Sequence, residues 1–261
     1  MRVLKILPKM DDPTKHNYNV NYGVWDVIDG DTVCLESFNA DLNEYDVVFL
    51  PMFKRWRGHA DLLDRIKSHR IKTVLFDNDT CYRSFGHEFY TGIDYIFYRC
   101  LDVNGQCPDN GSLLPWSVNA DLFAPVYGGR GVSFLCSVSR DYPLRQKIAN
   151  VLPHPYLLHD KYIAALQASG GSIHTNNDIS TVVRGKVLEI AACGTQVISN
   201  RCDNMDDYFP DDLIIYFDDV DHLLRIVNSF QPDITTQKKL REIVEDKHTH
   251  VKRAKQILEK I

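Results

Sequence analysis

Short apolar runs alternate with amphipathic runs along the whole chain, and this alternation restricts the folds that the sequence can adopt. The apolar runs are rich in Val, Ile, Leu, Phe and Tyr and are bounded by Gly, Pro, Asp or Asn, which is typical of β-strands. The strands predicted in the first half are Arg2–Leu7, Thr32–Glu36, Asp46–Leu50, Lys72–Phe76 and Tyr95–Tyr98. An amphipathic run over His59–Arg70 predicts a helix between two of them. Strands that alternate with helices predict parallel sheets covered on both faces.

The second half repeats the pattern and doubles the number of strands. The predicted elements are strands at Gly131–Cys136, Gly171–His174, Thr195–Ser199 and Leu213–Phe217, helices at Leu144–Leu152, Asp160–Ala168 and Val183–Cys193, a helix capped by Asp219, and one long final helix from about Thr235. About ten strands are more than one small doubly wound sheet holds, so two sheets are expected. The best boundary lies in 120–131, where Pro125 and a glycine cluster break regular structure.

We therefore predict an α/β chain with two Rossmann-like domains, over residues 1–122 and 123–261, that face each other across a cleft. A C-terminal helix that crosses back to the first domain is compatible with this architecture. Ligands of such sheets bind outside the carboxyl ends of the strands, so the polar residues that follow strands are the first candidates for a site.

Composition excludes several classes of protein. With 44% hydrophobic and 25% charged residues the chain can bury a core, which argues against a disordered chain or a collagen-like repeat. No apolar run approaches the ~20 residues of a membrane span, and Met1–Pro8 is better interpreted as a first strand than as a signal peptide, so a cytoplasmic protein is expected. The net charge of −5 disfavours non-specific binding to nucleic acid. The seven cysteines lack a Cys-x-x-Cys pair, so reduced thiols and no metal are expected.

The common nucleotide and hydrolase motifs are missing from the sequence. No Gly-x-Gly-x-x-Gly follows the first strand, and neither a Walker loop nor a Gly-x-Ser-x-Gly elbow occurs. The most informative stretch is Val183–Ser199, which predicts a helix, a glycine stop and a strand. Glu189 lies in the middle of its apolar run. A buried carboxylate is costly unless it is paired or bonded to a ligand hydroxyl, and the alternative is a place on the solvent face of the helix.

This stretch resembles the donor-binding helix of group-1 (GT4-like) glycosyltransferases of the GT-B fold. Further segments resemble the same family in the same order: Leu113–Phe123, Asp206–Pro210, Leu213–Asp219 and, in the form of the CgeB-like branch, His248–Leu258. The resemblance runs from about residue 111 to the end of the chain, and the first 110 residues agree only in architecture.

The resemblance implies roles for residues of the second half. Glu189 matches the family's ribose-binding Glu, whereas Thr181 replaces the Glu that usually contacts the sugar. Arg140 and Arg145 stand where the family holds the diphosphate. The resemblance also implies a nucleotide-sugar donor, a UDP-sugar in the first instance, and no bound metal ion. The chemistry agrees, because guanidinium groups can stabilise a departing nucleoside diphosphate without a metal.

Three more residues are donor-side candidates. Lys186 could reach the phosphates, and a solvated surface position is the alternative for it and for Arg145. His174 and Thr175 end a strand where the family lines the base or the sugar of the donor.

Candidates for the acceptor side lie in the first half. Asp77 and Asp79 follow a predicted strand and could orient the acceptor or act as its base, and a polar turn is the alternative. His16, in the loop after the first strand, is a candidate catalytic residue, although a lone loop histidine is often merely exposed. Arg55, Trp56 and Arg57 form a basic, aromatic loop that could meet phosphates and stack a base, and a solvated loop with one packed Trp is the alternative.

The resemblance thus implies a glycosyltransferase that moves a sugar from a nucleotide-sugar to an unidentified acceptor, with retention at the anomeric carbon. A glycan, a small molecule, a protein or modified DNA would all be compatible acceptors. The alternatives are a phage-type enzyme acting on hydroxymethylated DNA bases, a nucleotide-sugar epimerase of the same fold, and a two-domain module that binds the nucleotide-sugar without catalysis.

Overall fold

The computed structural model describes residues 1–7, 23–52, 56, 58–77, 83–86, 88–136, 142–176 and 182–261. The chain divides into two compact units. The first contains Met1–Pro115 together with Ala254–Ile261, and the second contains Trp116–Arg253. The first boundary thus falls between residues 115 and 116, whereas the sequence analysis placed it after residue 122. The last segment of the chain, Ala254–Ile261, belongs to the first unit.

The first unit contains a six-stranded sheet in the order β2-β1-β3-β4-β5-β6, and every neighbouring pair is parallel. Its strands are β1 (Val3–Leu7), β2 (Asp31–Cys34), β3 (Val47–Leu50), β4 (Lys72–Asp77), β5 (Tyr95–Tyr98) and β6 (Gly111–Leu113). The five strands predicted for this half are confirmed within two residues at each end. The sequence did not predict β6, because it is short and begins with Gly and Ser rather than with branched apolar residues.

Aromatic rings fill one face of this sheet. Phe76 of β4 is 5.0 Å from Trp25, 5.1 Å from Phe49 and 5.3 Å from Phe97, measured between ring centroids. Trp25 belongs to helix α1 (Gly23–Asp26), and the second helix of this half is α2 (Ala60–Ser68). These four rings are almost completely buried, so their burial stabilises the unit by on the order of 10 kcal/mol in total.

The second unit contains a four-stranded parallel sheet in the order β10-β9-β8-β7. Its strands are β7 (Val132–Ser133), β8 (Gly171–His174), β9 (Gln196–Ser199) and β10 (Ile215–Tyr216). Its helices are α3 (Pro143–Ala149), α4 (His159–Ala168), α5 (Lys186–Ala192), α6 (Val220–Ser229) and α7 (Ile234–Lys247). The last helix, α8 (His250–Leu258), begins in the second unit, and its residues from Ala254 onward belong to the first. None of the helices within the described residues is both long enough and apolar enough to cross a membrane.

The prediction of one long final helix is wrong, because α7 and α8 are separated at residues 248 and 249. There the backbone pairs with another segment: the N–H of Val118 donates to the carbonyl of His248 at 2.9 Å, and the N–H of His250 donates to the carbonyl of Val118 at 3.0 Å. The apolar stripe continues through the break, so helical periodicity alone does not reveal it.

Candidate functional site

Polar side chains of the second unit converge where the parallel strands β7 and β8 end. The segment after β7 contains Leu135 and Cys136, β8 ends at His174 and continues into Thr175, and α5 begins at Lys186. This is the edge at which ligands bind in open α/β sheets.

Arg145 is held in a fixed orientation at this edge. It lies in the first turn of α3, which begins with Pro143, a residue whose fixed φ suits a helix start. Its Nε donates to the hydroxyl of Thr175 at 3.0 Å and its Nη2 donates to the carbonyl of Thr175 at 3.1 Å. The guanidinium carbon lies 4.0 Å from the centroid of the Tyr142 ring. A guanidinium anchored in this way loses little conformational entropy when it binds an anion.

Lys186 brings a partly buried positive charge to the same edge. Its Nζ donates to the carbonyl of Leu135 and lies 5.0 Å from the centroid of the Tyr162 ring. Within the described part of the chain it forms no ion pair with a carboxylate. Burial lowers the pKa of Lys186, and the negative potentials of Glu189 and Cys136 only partly oppose this effect.

His174 is a buried histidine at the same edge, close to these positive charges. The side chain is 2% exposed, and its Nδ1 lies 3.1 Å from the hydroxyl of Ser199. Because that hydroxyl donates to the carbonyl of Asn200 at 2.8 Å, we assign the imidazole proton to Nδ1. Burial lowers the pKa of His174 to about 3, so the ring is neutral near pH 7. After burial, the causes of this shift are three cations, Lys186, Arg145 and Arg184.

Glu189 lies one turn after Lys186, on the partly exposed side of a helix that is otherwise buried. Its Oε2 accepts a hydrogen bond of 2.8 Å from the hydroxyl of Tyr162. Burial raises the pKa of Glu189, whereas the Tyr162 hydrogen bond and the charge of Lys186 lower it. Of the two interpretations that the sequence left open, the structure therefore favours the bonded carboxylate over a place on a solvent face.

The second unit thus brings together five of the residues predicted from the sequence: Arg145, His174, Thr175, Lys186 and Glu189. Five other predicted residues, His16, Arg55, Arg57, Asp79 and Arg140, lie outside the described residues, as does Thr181. Tyr162 is a residue of this site that the sequence analysis did not single out. The available signal was its polar end, because a tyrosine on the inward face of a helix needs a partner for its hydroxyl.

Asp77 lies in the first unit, at the end of β4, and is completely buried. Arg83 donates to its Oδ1 and the hydroxyl of Tyr90 donates to its Oδ2. Burial raises the pKa of Tyr90 well above its usual range, and the charge of Asp77 adds to this effect. Both carboxylate oxygens are therefore engaged within the first unit.

Trp56 is a core residue. It is 4% exposed, its indole N–H donates to the carbonyl of Pro51 at 3.0 Å, and it packs in a cluster with Leu50 and Leu63. This placement favours the packed Trp over a ring that stacks on a base. Among the described residues, no three His, Cys, Asp or Glu side chains are grouped as a metal site requires.

The sequence model of the glycosyl transferase-like family matches residues 120–259, which is more than half of the chain. The protein therefore belongs to the glycosyl transferase-like family. The predicted resemblance to group-1 glycosyltransferases is confirmed, and the CgeB-like branch stays a prediction. No curated protein matches the chain by sequence.

Several solved structures are similar to this protein over almost its whole length. HepE of Anabaena in complex with UDP-glucose matches with a TM-score of 0.69 at 11% identity, covering 99% of this chain and 98% of HepE. Sucrose-phosphate synthase from Thermosynechococcus elongatus matches with 0.63 at 11% identity, covering 99% and 97%. A glycosyltransferase from Rickettsia africae matches with 0.64 at 12% identity, covering 99% and 97%. At such identities the matches establish the fold, and the predicted GT-B class is confirmed.

Proposed function

We propose that this protein transfers a sugar from a nucleotide-sugar, a UDP-sugar in the first instance, to an acceptor, and that the donor binds at the edge formed by β7, β8 and α5. The observation that carries the proposal is the convergence of two cationic side chains at this edge, where Arg145 is anchored on Thr175 and Lys186 on the carbonyl of Leu135. Burial, and after it the charges of Lys186, Arg145 and Arg184, lowers the pKa of His174 in the same place. An anion at this edge would attract these cations and would offset the cost of burying Lys186. The structures of HepE with UDP and with UDP-glucose support this class of donor.

The chemistry follows from where charge develops. When the bond between the anomeric carbon and the diphosphate breaks, negative charge grows on the leaving diphosphate. Arg145 and Lys186 stabilise that charge, and Arg140 would join them. Because cations supply this stabilisation, the reaction proceeds without a metal ion in our proposal. Glu189 accepts hydrogen bonds from the ribose, while His174 and Thr175 line the base or the sugar.

The acceptor side belongs to the first unit in this proposal. Since both oxygens of Asp77 accept hydrogen bonds from Arg83 and Tyr90, Asp79 and His16 are better candidates for the base. The buried Trp56 gives no support to the alternative in which a DNA base stacks on it. A glycan, a small molecule or a protein hydroxyl is the acceptor that we favour.

Thermal unfolding with a panel of nucleoside diphosphates tests the donor. A ligand that binds only the folded state stabilises it by about 2.7 kcal/mol at one hundred times its Kd. We expect UDP to raise the melting temperature more than ADP, GDP or CDP. If no nucleoside diphosphate raises it, the proposed donor site is wrong.

Product analysis tests the reaction. We expect the UDP-sugar to release UDP faster when the acceptor is present, with the same anomeric configuration in product and donor by NMR, and with EDTA having no effect. Conversion of the donor sugar without any acceptor would instead indicate an epimerase. Tight binding with no turnover on any acceptor would indicate a module that only binds.

A further inference from the structure

Tyr162 of α4 contacts both charged residues of α5. Its hydroxyl donates to Oε2 of Glu189 at 2.8 Å, and the Nζ of Lys186 lies 5.0 Å from the centroid of its ring. The ring itself packs edge-on against Phe123, with 6.5 Å between the centroids. One side chain from a neighbouring helix is therefore in contact with the carboxylate and the ammonium group of the site.

We propose that Tyr162 is a positioning residue of the donor site, whose hydroxyl orients the Glu189 carboxylate and keeps it ionised. Its hydrogen bond occupies Oε2, and within the described residues no hydrogen bond reaches Oε1. Oε1 is thereby left to accept hydrogen bonds from hydroxyl groups of the nucleotide-sugar. The inference rests on the proposed function, because it assigns a purpose to a contact with a residue of that site.

The ionised state of Glu189 needs such a partner. Burial raises its pKa, which favours the neutral acid, and a neutral acid is a poorer acceptor for ribose hydroxyls. Among the residues that the structure describes, the titratable groups that interact with Glu189 are Tyr162 from α4, Lys186 one turn earlier and Cys193 one turn later. Burial raises the pKa of the Cys193 thiol to about 12, so this group stays neutral.

Tyr162 remains a hydrogen-bond donor at every pH of interest. Burial and the charge of Glu189 raise its pKa well above the usual range, so the hydroxyl keeps its proton. A hydrogen bond that is donated to a carboxylate favours the ionised form. Loss of this hydroxyl therefore moves the titration of Glu189 to higher pH, whereas a Tyr162 that contributes only the packing of its ring would leave it in place.

Tyr162→Phe is the test variant, because it removes the hydroxyl and keeps the ring beside Lys186. Tyr216→Phe is the matched control: the Tyr216 hydroxyl donates to Oδ1 of Asp211 at 2.7 Å, so the control also loses a bond between a tyrosine and a carboxylate, but in β10. Thermal unfolding of both variants verifies that they fold.

The first measurement is an NMR titration of glutamate carboxyl carbons, in which the Glu189 signal is assigned by its absence in Glu189→Gln. We expect the Glu189 midpoint to move to higher pH in Tyr162→Phe and to stay at the wild-type value in Tyr216→Phe. An unchanged midpoint in Tyr162→Phe overturns the inference. No ligand is needed, so this result is independent of the proposed function.

The second measurement is the affinity for UDP as a function of pH, by calorimetry. We expect Tyr162→Phe to bind UDP about tenfold more weakly than wild type. As the pH is lowered, the affinity of the variant should begin to fall at a higher pH than that of wild type. In the Glu189→Gln background the same change should have no further effect. A full loss in that background overturns the inference, and a wild type that binds no nucleoside diphosphate overturns the proposed function and the donor-site role together.

Discussion

The two units each bury charged side chains near the ends of parallel strands, but they compensate these charges differently. In the first unit the carboxylate of Asp77 is bonded by Arg83 and Tyr90. In the second unit Lys186 meets a backbone carbonyl and a ring face, and within the described residues no carboxylate pairs with it. A balanced network supports the fold by itself, whereas an unbalanced one gains most from a ligand of opposite charge.

The largest expected effect is on the balanced network. Asp77→Ala removes a completely buried carboxylate that accepts hydrogen bonds from Arg83 and Tyr90, so we expect the free energy of unfolding to fall by about 3–5 kcal/mol in chemical denaturation. Asp31→Ala is the matched control, because Asp31 also accepts hydrogen bonds from an arginine and a tyrosine, Arg2 and Tyr45, but at the surface. We expect it to lose much less, because exposed ion pairs contribute little to stability.

Equal losses in the two variants would contradict the comparison. Another outcome is that Asp77→Ala keeps its stability and its UDP binding but loses sugar transfer. That outcome would restore Asp77 as a candidate base for the acceptor.

The next effect is on ligand binding in the unbalanced network. Lys186→Met should bind UDP roughly 10- to 100-fold more weakly, since hydrogen bonds to charged groups contribute about 1.5–3 kcal/mol. The ligand-free protein should keep its stability or gain some, because a poorly compensated buried charge is removed. Calorimetry and chemical denaturation give the two values.

Lys67→Met is the control for this variant. Lys67 of the first unit also donates to a backbone carbonyl, that of Phe89 at 2.9 Å, and its Nζ lies 5.5 Å from the centroid of the Phe89 ring. Burial lowers its pKa too. We expect wild-type UDP affinity from this protein, and a loss equal to that of Lys186→Met would refute the special role of the second network.

A smaller effect concerns pH. His174 has a pKa of about 3 in the folded state against 6.5 as the ordinary value, so between these values the unfolded chain binds a proton that the folded chain does not. Stability is therefore lost as the pH falls below about 6.5. His174→Asn can keep the hydrogen bond to Ser199 but cannot be protonated, and between about pH 6.5 and pH 5 it should lose roughly 1.5 kcal/mol less than wild type.

Urea unfolding at the two pH values checks this prediction. His248, whose pKa burial and Arg253 lower to about 4, contributes to the same acid dependence and remains in the variant. Some acid dependence should therefore persist in His174→Asn. Identical losses in wild type and variant would show that His174 is protonated in the folded protein.

The smallest expected effect is a difference in stability between alanine variants at two glycines that both have a positive φ. Gly194 ends α5 with φ of 71°, and Gly105 of the first unit has φ of 73°. Alanine is strained at both, by about 1 kcal/mol or more. At Gly194 the new Cβ would also lie 2.9 Å from the Tyr127 ring, while at Gly105 it would meet nothing within 4 Å. We expect Gly194→Ala to be less stable than Gly105→Ala by about 0.5 kcal/mol in thermal unfolding, and the reverse order would show that Tyr127 moves without cost.

Local patterns predicted most of the fold. The strand Gly171–His174 was predicted with its observed bounds, because a short run ends where polar residues begin. The break between α7 and α8 was not predictable in this way, since it depends on pairing with Val118 from a distant part of the chain. The same limit applies to strand β6, whose place depends on its neighbour β5 rather than on its own residues.

The candidate site shows the same division between local and distant information. The apolar surroundings of Glu189 and the arginines near strand ends were visible as patterns and as a family resemblance. The bond from Tyr162 to Glu189 joins residues of two helices, and the partners of Asp77 lie 6 and 13 residues further along the chain. Which buried charge is balanced can be decided only when such partners are known.

The last segment of the chain gives the protein an unusual order of assembly during translation. Ala254 and Ile257 belong to the core cluster of the first unit, and the Nζ of Lys72 donates to the carbonyl of Ile261 at 2.9 Å. The second unit is continuous in sequence and can close as soon as it is made. The first unit lacks part of its core until residues 254–261 leave the ribosome, roughly 7–30 s after residue 115 at usual rates of synthesis. The half of the protein that is made first is therefore the half that is completed last.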